Sequence, residues 1–347
     1  MVAGGDPLAS LQVIAAGASL SAAESEALFA RIMDGGVATT VIAALLAALA
    51  TRGETSEEIA GAARVMRARA TRVSTTREPL IDTCGTGGDF SGSINVSTGA
   101  ALVVAAAGIA VAKHGNRAAS SRCGSADVLE ALGVTIDLEP ESVGRSIDEL
   151  GIGFLYAPRF HPAMRHAAQA RREIGIRTIF NLLGPLTNPA GARRQLIGVP
   201  RPDVVGRIGG VLRELGAEVA VVVHGLEGLD EISVCGPTRI AHVRGEAVEE
   251  SVIEPADLGL PTFDLREIAG GDTAENAAIL RSVLEGRGSE AQRAVVAANA
   301  GAGIWIGGGA ETLRAGVDRA RDTIASGQAA ELLDRLAELT ARLAADT

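Results

Sequence analysis

The sequence is poor in aromatic residues, which make up 2% of its 347 positions, with a single Trp and a single Tyr. So few rings leave no stacking platform of the kind that holds single-stranded nucleic acid. Cysteine is scarce too: Cys84, Cys123 and Cys235 are an odd number, far apart and without a CxxC pair. That excludes a disulfide framework and a cysteine zinc site, and points to a reducing cytoplasm. Positive charge is in deficit, since 32 Lys and Arg stand against 42 Asp and Glu, a formal net charge of −10. A chain of that sign repels a phosphate backbone, so general nucleic-acid binding is not expected. Long apolar runs are missing as well. The least charged stretch, Ile94 to Ala112, contains Asn95, Ser97, Thr98 and two glycines, and Met1 to Leu11 has no basic segment. Neither a membrane span nor a signal peptide is expected.

What is present is an apolar fraction of 47%, a charged fraction of 21% and 43 glycines, the composition of a folded protein with a core of Ala, Val, Leu and Ile. The length suits one large or two unequal domains. From Pro7 to about Arg72 the pattern is helical: Ser21 and Glu24 form a capping box, Asp34-Gly35-Gly36 closes that helix, Thr39 to Thr51 is a second, and Ser56-Glu57-Glu58 opens a third. After Thr71 to Pro79 the texture changes. Apolar runs end in glycine and are followed by helix-length segments: Leu80 to Cys84 before Gly85, Ile109 to Ala112 before Lys113-His114-Gly115, and Val219 to Val223 before His224-Gly225. That rhythm is α/β with a mostly parallel sheet, whose ligands sit at the carboxyl ends of buried strands.

Four constellations carry chemistry. Gly85-Thr86-Gly87-Gly88-Asp89 follows a strand, and Asn95-Val96-Ser97-Thr98 opens the helix Gly99 to Ala107. Glycines there let backbone N–H groups turn toward an oxyanion, and the helix N-terminus adds positive potential. The spacing is neither GxGxxG nor a P-loop, and the bland alternative is a plain turn with an Asn or Ser cap. The stretch Lys113-His114-Gly115-Asn116-Arg117-Ala118-Ala119-Ser120-Ser121, with Cys123, Ser125 and Asp127, gathers cations and hydroxyls in an acidic chain. Lys113 suits a polyphosphate, Ser121 and Ser125 can donate to it, His114 reads as a base or as a loop imidazole, and Asp127 as a helix-start residue for Val128 to Leu132. Next, Arg159 to Glu173 places Arg171 one or two helical turns from His161 and Met164, pointing at a planar carboxylate or at solvent. Last, Gly228-Leu229-Asp230-Glu231 is a loop pair of carboxylates, which suits Mg²⁺ better than Zn²⁺ and is on its own weak. The Asn181 to Pro189 loop, Gly270-Gly271-Asp272 to Asn276 and Ala298 to Gly301 read as architecture.

Taken in order, GTGGD, NVST, KHGNRAASSRCGSAD, HPAMRHAAQARREIGIRTIFNLLGPLTNPA and GLDE closely resemble the anthranilate phosphoribosyltransferases over nearly the whole chain. The resemblance implies transfer of the phosphoribosyl group of 5-phosphoribosyl 1-diphosphate to anthranilate, with Mg²⁺, in tryptophan biosynthesis. It implies a small helical domain, 1–75 joined by helices from about 160–190, a larger α/β domain, 76–347, and a homodimer. By position, Gly85, Gly88, Asp89, Ser93, Asn95, Val96, Ser97, Thr98, the run Lys113 to Ser121 and Ser125 would hold the diphosphate substrate. Anthranilate would lie against Gly85, Asn116 and Arg171, and Mg²⁺ would be held by Ser97, Asp230 and Glu231. Lys113, Asn116 and Arg171 would carry the catalysis. One departure is Phe90-Ser91-Gly92, where many members have another glycine after Asp89, which bears on loop flexibility. No fused synthase subunit is expected, while association with anthranilate synthase stays open. Two alternatives remain: a pyrimidine nucleoside phosphorylase, and a silent nucleic-acid-binding relative of the same fold.

Overall fold

The computed structural model describes residues 5–89, 91–118 and 122–346. Phe90, Ala119, Ser120 and Ser121, in or beside the expected site, lie outside the described residues. The chain opens with helices α1 (Pro7–Ala15), α2 (Ala22–Met33), α3 (Thr39–Arg52) and α4 (Ser56–Arg69). Ser21 and Glu24 cap α2 reciprocally, as their spacing predicts, and Thr55 and Glu58 do the same for α4. Buried Glu58 also accepts from the N–H groups of Leu20 and Thr55, both at 2.9 Å, and pairs with Arg52. One carboxylate thereby ties α4 to α3 and to the loop that leads into α2.

Strands and helices then alternate: β1 (Ile81–Gly85), α5 (Val96–Ala106), β2 (Val111–Gly115), α6 (Ser125–Ala131), α7 (Pro140–Leu150) and β3 (Ile152–Tyr156). The helices α8 (Ala157–Phe160), α9 (Arg165–Ile174) and α10 (Ile179–Leu183) follow, then β4 (Arg194–Gly198), α11 (Pro202–Glu214), β5 (Val219–Gly225), β6 (Thr238–Arg244) and β7 (Ala247–Ile253). Four helices close the chain, α12 (Thr273–Leu284), α13 (Glu290–Ile306), α14 (Leu313–Ser326) and α15 (Gln328–Ala345). The strands form one sheet in the order β3-β2-β1-β4-β5-β6-β7. The first five are parallel, and β6 and β7 add an antiparallel edge. Chain order reverses between β1 and β4, which leaves a crevice at their carboxyl ends.

Both faces of the sheet are covered, as buried parallel strands require. On one face, Val103, Leu102 and Val104 of α5 pack with Val295, Val296 and Ile304 of α13 and with Leu333 and Leu336 of α15. Gly301 of α13 and Gly316 of α14 touch backbone to backbone, leaving no room for a Cβ on either. On the other face, Ile208 and Leu212 of α11 share a core with Leu28, Phe29, Leu45 and Ile59 of the first helices. Ala167 and Ala170 of α9 and Ile179, Phe180 and Leu183 of α10 belong to that same core.

The strand boundaries differ from the sequence reading at one informative place. Lys113, His114 and Gly115 lie within β2, paired to Phe154, Leu155 and Tyr156, and do not form a loop after it. Polar residues are tolerated on a central strand here because each finds partners inside, as the site shows. Likewise His161 and Met164 belong to a turn ahead of α9, so they share no helix with Arg171. The helix at Asp127 begins at Ser125, three residues earlier than expected, and ends at Ala131, one residue earlier.

Candidate active site

Two glycines make the floor of the crevice. Gly85 ends β1, Gly198 ends β4, and the two are register partners. A Cβ on Gly198 would run into the backbone of Asp230, and one on Gly85 would lie 2.6 Å from Asp230 Oδ2. The absence of side chains therefore lets the acidic loop settle directly on the strand ends. Gly87 N–H donates to Asp230 Oδ2 at 3.1 Å, and Thr86 N–H to the Gly198 carbonyl at 2.9 Å. Gly88, with φ +82°, is pressed against the guanidinium of Arg177, which donates to the Thr86 carbonyl at 3.1 Å.

Beyond the turn, Ser91 and Ser93 bond to each other, and Ile94 N–H donates to the Ile268 carbonyl at 3.1 Å. Asn95 donates to the Cys123 carbonyl at 3.1 Å and accepts from Asn276 at 3.0 Å. Asn95 precedes α5 but makes no side-chain cap. The first turn of the helix instead meets a carboxylate: Ser97 N–H donates to Glu231 Oε1 at 3.1 Å, the sign of charge that a helix N-terminus favours.

Lys113 is buried beneath this turn. Its ammonium donates to the Thr83 carbonyl at 2.7 Å and lies 3.4 Å from Ser97 Oγ. Burial pulls its pKa below the usual lysine value, while Asp82, Cys84 and Glu231 pull the other way. Asp82, fully buried on β1, accepts from His114 N–H at 3.1 Å and from Asn188 Nδ2 at 2.8 Å. Burial pushes its carboxyl up to about 6 against the attraction of Lys113. Asp230 and Glu231 are both raised, Asp230 by burial and the nearby Asp89, Glu231 by burial and then by Asp230. Three carboxylates thus crowd one spot, with Lys113 and Arg177 as nearby cations.

His114 points to the opposite face of β2. Its Nδ1 lies 3.0 Å from the Gly184 carbonyl, its ring is 5.0 Å from that of His161, and burial drives its pKa down to about 3. Such an imidazole stays neutral and faces the helical segment, away from the crevice. The loop after β2 is closed by Asp127, which accepts from Ala118 and Gly124 N–H, both at 2.9 Å. Ser125 Oγ lies 3.3 Å from both the N and the O of Asn116, bracing that residue. Arg117 turns outward to Asp127 and Glu130.

Arg171 sits on α9 with its guanidinium 5.4 Å from the centre of the Phe180 ring, and burial lowers its pKa. The structure therefore brings together Gly85, Gly88, Asp89, Ser97, Lys113, Asp230 and Glu231 around one crevice. Of the residues expected there, it aims His114 and Arg117 elsewhere.

Several supports escape a reading of the sequence. Asn299 clamps the peptide beside Glu231, accepting from Ile232 N–H and donating to its carbonyl, both at 2.9 Å. Its one signal is an Asn alone in the Ala/Gly run of α13. Asn276, Asp82 and Arg177 carry no comparable local signal. Among the described residues, no group of three or more His, Cys, Asp or Glu side chains is arranged to hold a metal ion, and no helix is long and apolar enough to cross a membrane.

This architecture and this crevice are those of a glycosyl transferase. The glycosyl transferase family a/b domain matches residues 77–330, and the family's helical bundle domain matches residues 9–70. An anthranilate phosphoribosyltransferase of Rubrobacter xylanophilus is 53% identical over 96% of this chain and 97% of its own. The crystal structure of the anthranilate phosphoribosyltransferase from Thermus thermophilus superposes with a TM-score of 0.90 at 46% identity, covering 96% of this chain and 99% of that one. The enzyme of that name from Saccharomyces cerevisiae, solved in complex with PRPP and Mg, gives a TM-score of 0.87 at 26% identity, over 97% and 98% of the two chains. Within its class, the chain belongs to the anthranilate phosphoribosyltransferase family.

Proposed function

We propose that this crevice transfers the phosphoribosyl group of 5-phosphoribosyl 1-diphosphate (PRPP) to the amino group of anthranilate. The products are N-(5-phosphoribosyl)anthranilate and pyrophosphate, the second step of tryptophan biosynthesis from chorismate. The observation that carries this reading is the convergence at one strand-end crevice of a glycine turn, a helix N-terminus, buried Lys113 and the pair Asp230 and Glu231. A nucleoside phosphorylase needs no cation for an aromatic carboxylate, and Arg171 on α9 supplies one.

The diphosphate substrate would be held by Gly85, Gly88, Asp89, Ser93, Asn95 to Thr98, the run Lys113 to Ser121 and Ser125. Anthranilate would lie against Gly85, Asn116 and Arg171. Ser97, Asp230 and Glu231 would hold Mg²⁺. The donor set fits: all are hard oxygens, and burial with neighbouring negative charge, Asp89 on Asp230 and Asp230 on Glu231, raises both pKa values, so a cation relieves them. Two carboxylates suffice for an ion that keeps several waters. When bound, it would neutralise charge on the departing pyrophosphate.

The amine of anthranilate is already a free nucleophile, so the chain need supply no strong base. The hard part is departure of pyrophosphate from the ribose C1 as positive charge builds on the ring. Lys113, with those backbone N–H groups of the glycine turn that lie beyond Gly87, would stabilise the developing negative charge from fixed positions. Arg171 would grip the anthranilate carboxylate by two parallel bonds and aim the amine at C1. No proton transfer is assigned to His114, whose ring is held neutral on the helical side. A homodimer in the cytoplasm accompanies this reading through the family resemblance, and light scattering of the purified protein tests the dimer.

The reading is tested by mixing the protein with anthranilate, PRPP and Mg²⁺ and following anthranilate fluorescence. Decay that stops with EDTA or with Lys113→Ala supports it. A flat trace from folded protein would instead favour the phosphorylase or silent-binder alternatives.

A further inference from the structure

The reaction described above leaves Arg177 unused, yet its guanidinium lies on the crevice floor. Its Nη2 donates to the Thr86 carbonyl at 3.1 Å. Its Nη1 and Cζ lie where a side chain on Gly88 would stand, so the cation is laid against the glycine turn. It also feels the charges of Asp89 and Asp230. The root of the residue is equally fixed. Thr178, next in the chain, precedes α10 and donates its N–H to Asn181 Oδ1 at 2.9 Å, and buried Ile179, Phe180 and Leu183 anchor α10 in the helical core. Arg177 is therefore a strut from the helical side to the glycine turn on the sheet side.

Building on the reaction assigned above, we propose that Arg177 is a positioning residue for the diphosphate substrate. It holds the Thr86 to Asp89 turn in one conformation and sets a permanent cation beside carboxylates that would otherwise repel an anion. Two features separate this from a mere packing role. The contact is to a carbonyl of the turn, so it orients that peptide directly. The residue is also charged where a neutral donor would have served the hydrogen bond alone.

The test compares Arg177→Ala, Arg177→Gln and Arg177→Lys with the unaltered protein, using steady-state kinetics in both substrates and calorimetric titration with PRPP and Mg²⁺. Removing a charged hydrogen bond predicts that Arg177→Ala raises both KM and Kd for PRPP about tenfold or more, with the anthranilate KM within about twofold. Arg177→Lys should recover part of the loss, and Arg177→Gln little of it. An unchanged Kd for PRPP in Arg177→Ala, or equal rises in both KM values, would overturn the proposal. So would full recovery by Arg177→Gln. If Arg177→Ala fails to fold, the ordering of the Lys and Gln variants decides the matter. Failure of the underlying reaction would show separately, as absence of turnover in the unaltered protein.

Discussion

Asn299 holds Ile232 by both ends of its amide, each bond 2.9 Å long, and Ile232 immediately follows Glu231. A fully buried residue of α13 thereby fixes the backbone that presents the acidic pair. Asn299→Ala leaves a buried N–H and a buried carbonyl unpaired, which costs about 2–4 kcal/mol. Urea denaturation should register that loss. The Mg²⁺ concentration for half-maximal activity should rise in the same variant. An unchanged Mg²⁺ requirement would limit Asn299 to a stability role.

Lys113 and Asp82 are both buried and attract each other between neighbouring strands, although their bonds go elsewhere, Lys113 to Thr83 and Asp82 to His114 and Asn188. Lys113→Met should abolish activity and destabilise the protein, because it takes from the buried Asp82 carboxyl the cation that favours its charged form. Its cost should grow with pH. A carboxyl whose folded pKa lies above its unfolded value stabilises most when protonated, and that stability is lost as pH rises through the folded value, about 6 even with Lys113 present. Adding Asp82→Asn should restore part of the stability and none of the activity. Equal denaturation midpoints for the single and double variants at a pH of about 8, above that folded value, would count against the pairing.

Arg171→Ala should raise the anthranilate KM by about tenfold or more and leave that for PRPP within about twofold. The guanidinium rests on the Phe180 ring and burial lowers its pKa, so it is held ready at some cost in solvation. Kinetics with each substrate varied in turn separate the two constants. An unchanged anthranilate KM would remove Arg171 from that site.

The buried imidazoles predict an acid-labile fold. Burial lowers His161 to about 4 and His114 to about 3, against an ordinary value of 6.5. A depressed folded pKa gives stability that is present above 6.5 and lost as pH falls toward 4 and below. At about 1.4 kcal/mol per unit, His161 alone accounts for about 3 kcal/mol. His161→Phe should therefore flatten the loss of stability between pH 6.5 and 4, read from denaturation midpoints across that range. Parallel curves for the two proteins would place the acid sensitivity elsewhere.

How much of this is legible in the sequence depends on whether the cause is local. The capping boxes at Ser21 and Asp272 act over three residues, so the sequence displays them whole. Glycines closing buried strands mark the crevice, because there the backbone must pass beneath another chain segment, as Gly198 passes beneath Asp230. The pattern puts Lys113 and His114 one step too late, in a loop, since their compensation by Thr83, Asp82 and Gly184 comes from distant parts of the chain. Arg177 shows the same limit: among several arginines in its region, only the folded chain reveals which one lies on Gly88. The antiparallel edge of β6 and β7 does not stand out from the parallel strands, whose glycine-ended rhythm dominates the texture.

Lys113 and His114 are neighbours on β2, and consecutive side chains on a strand project to opposite faces. The ammonium enters the diphosphate side and the imidazole the helical side. A slip of β2 by a single residue against β3 would exchange them, putting a neutral ring under Ser97 and a cation among the apolar helices. The five register pairs from Val111 with Ile152 to Gly115 with Tyr156 are thus as much a part of the chemistry as the lysine itself. Strand alignment here acts as a selector of which charge reaches the crevice.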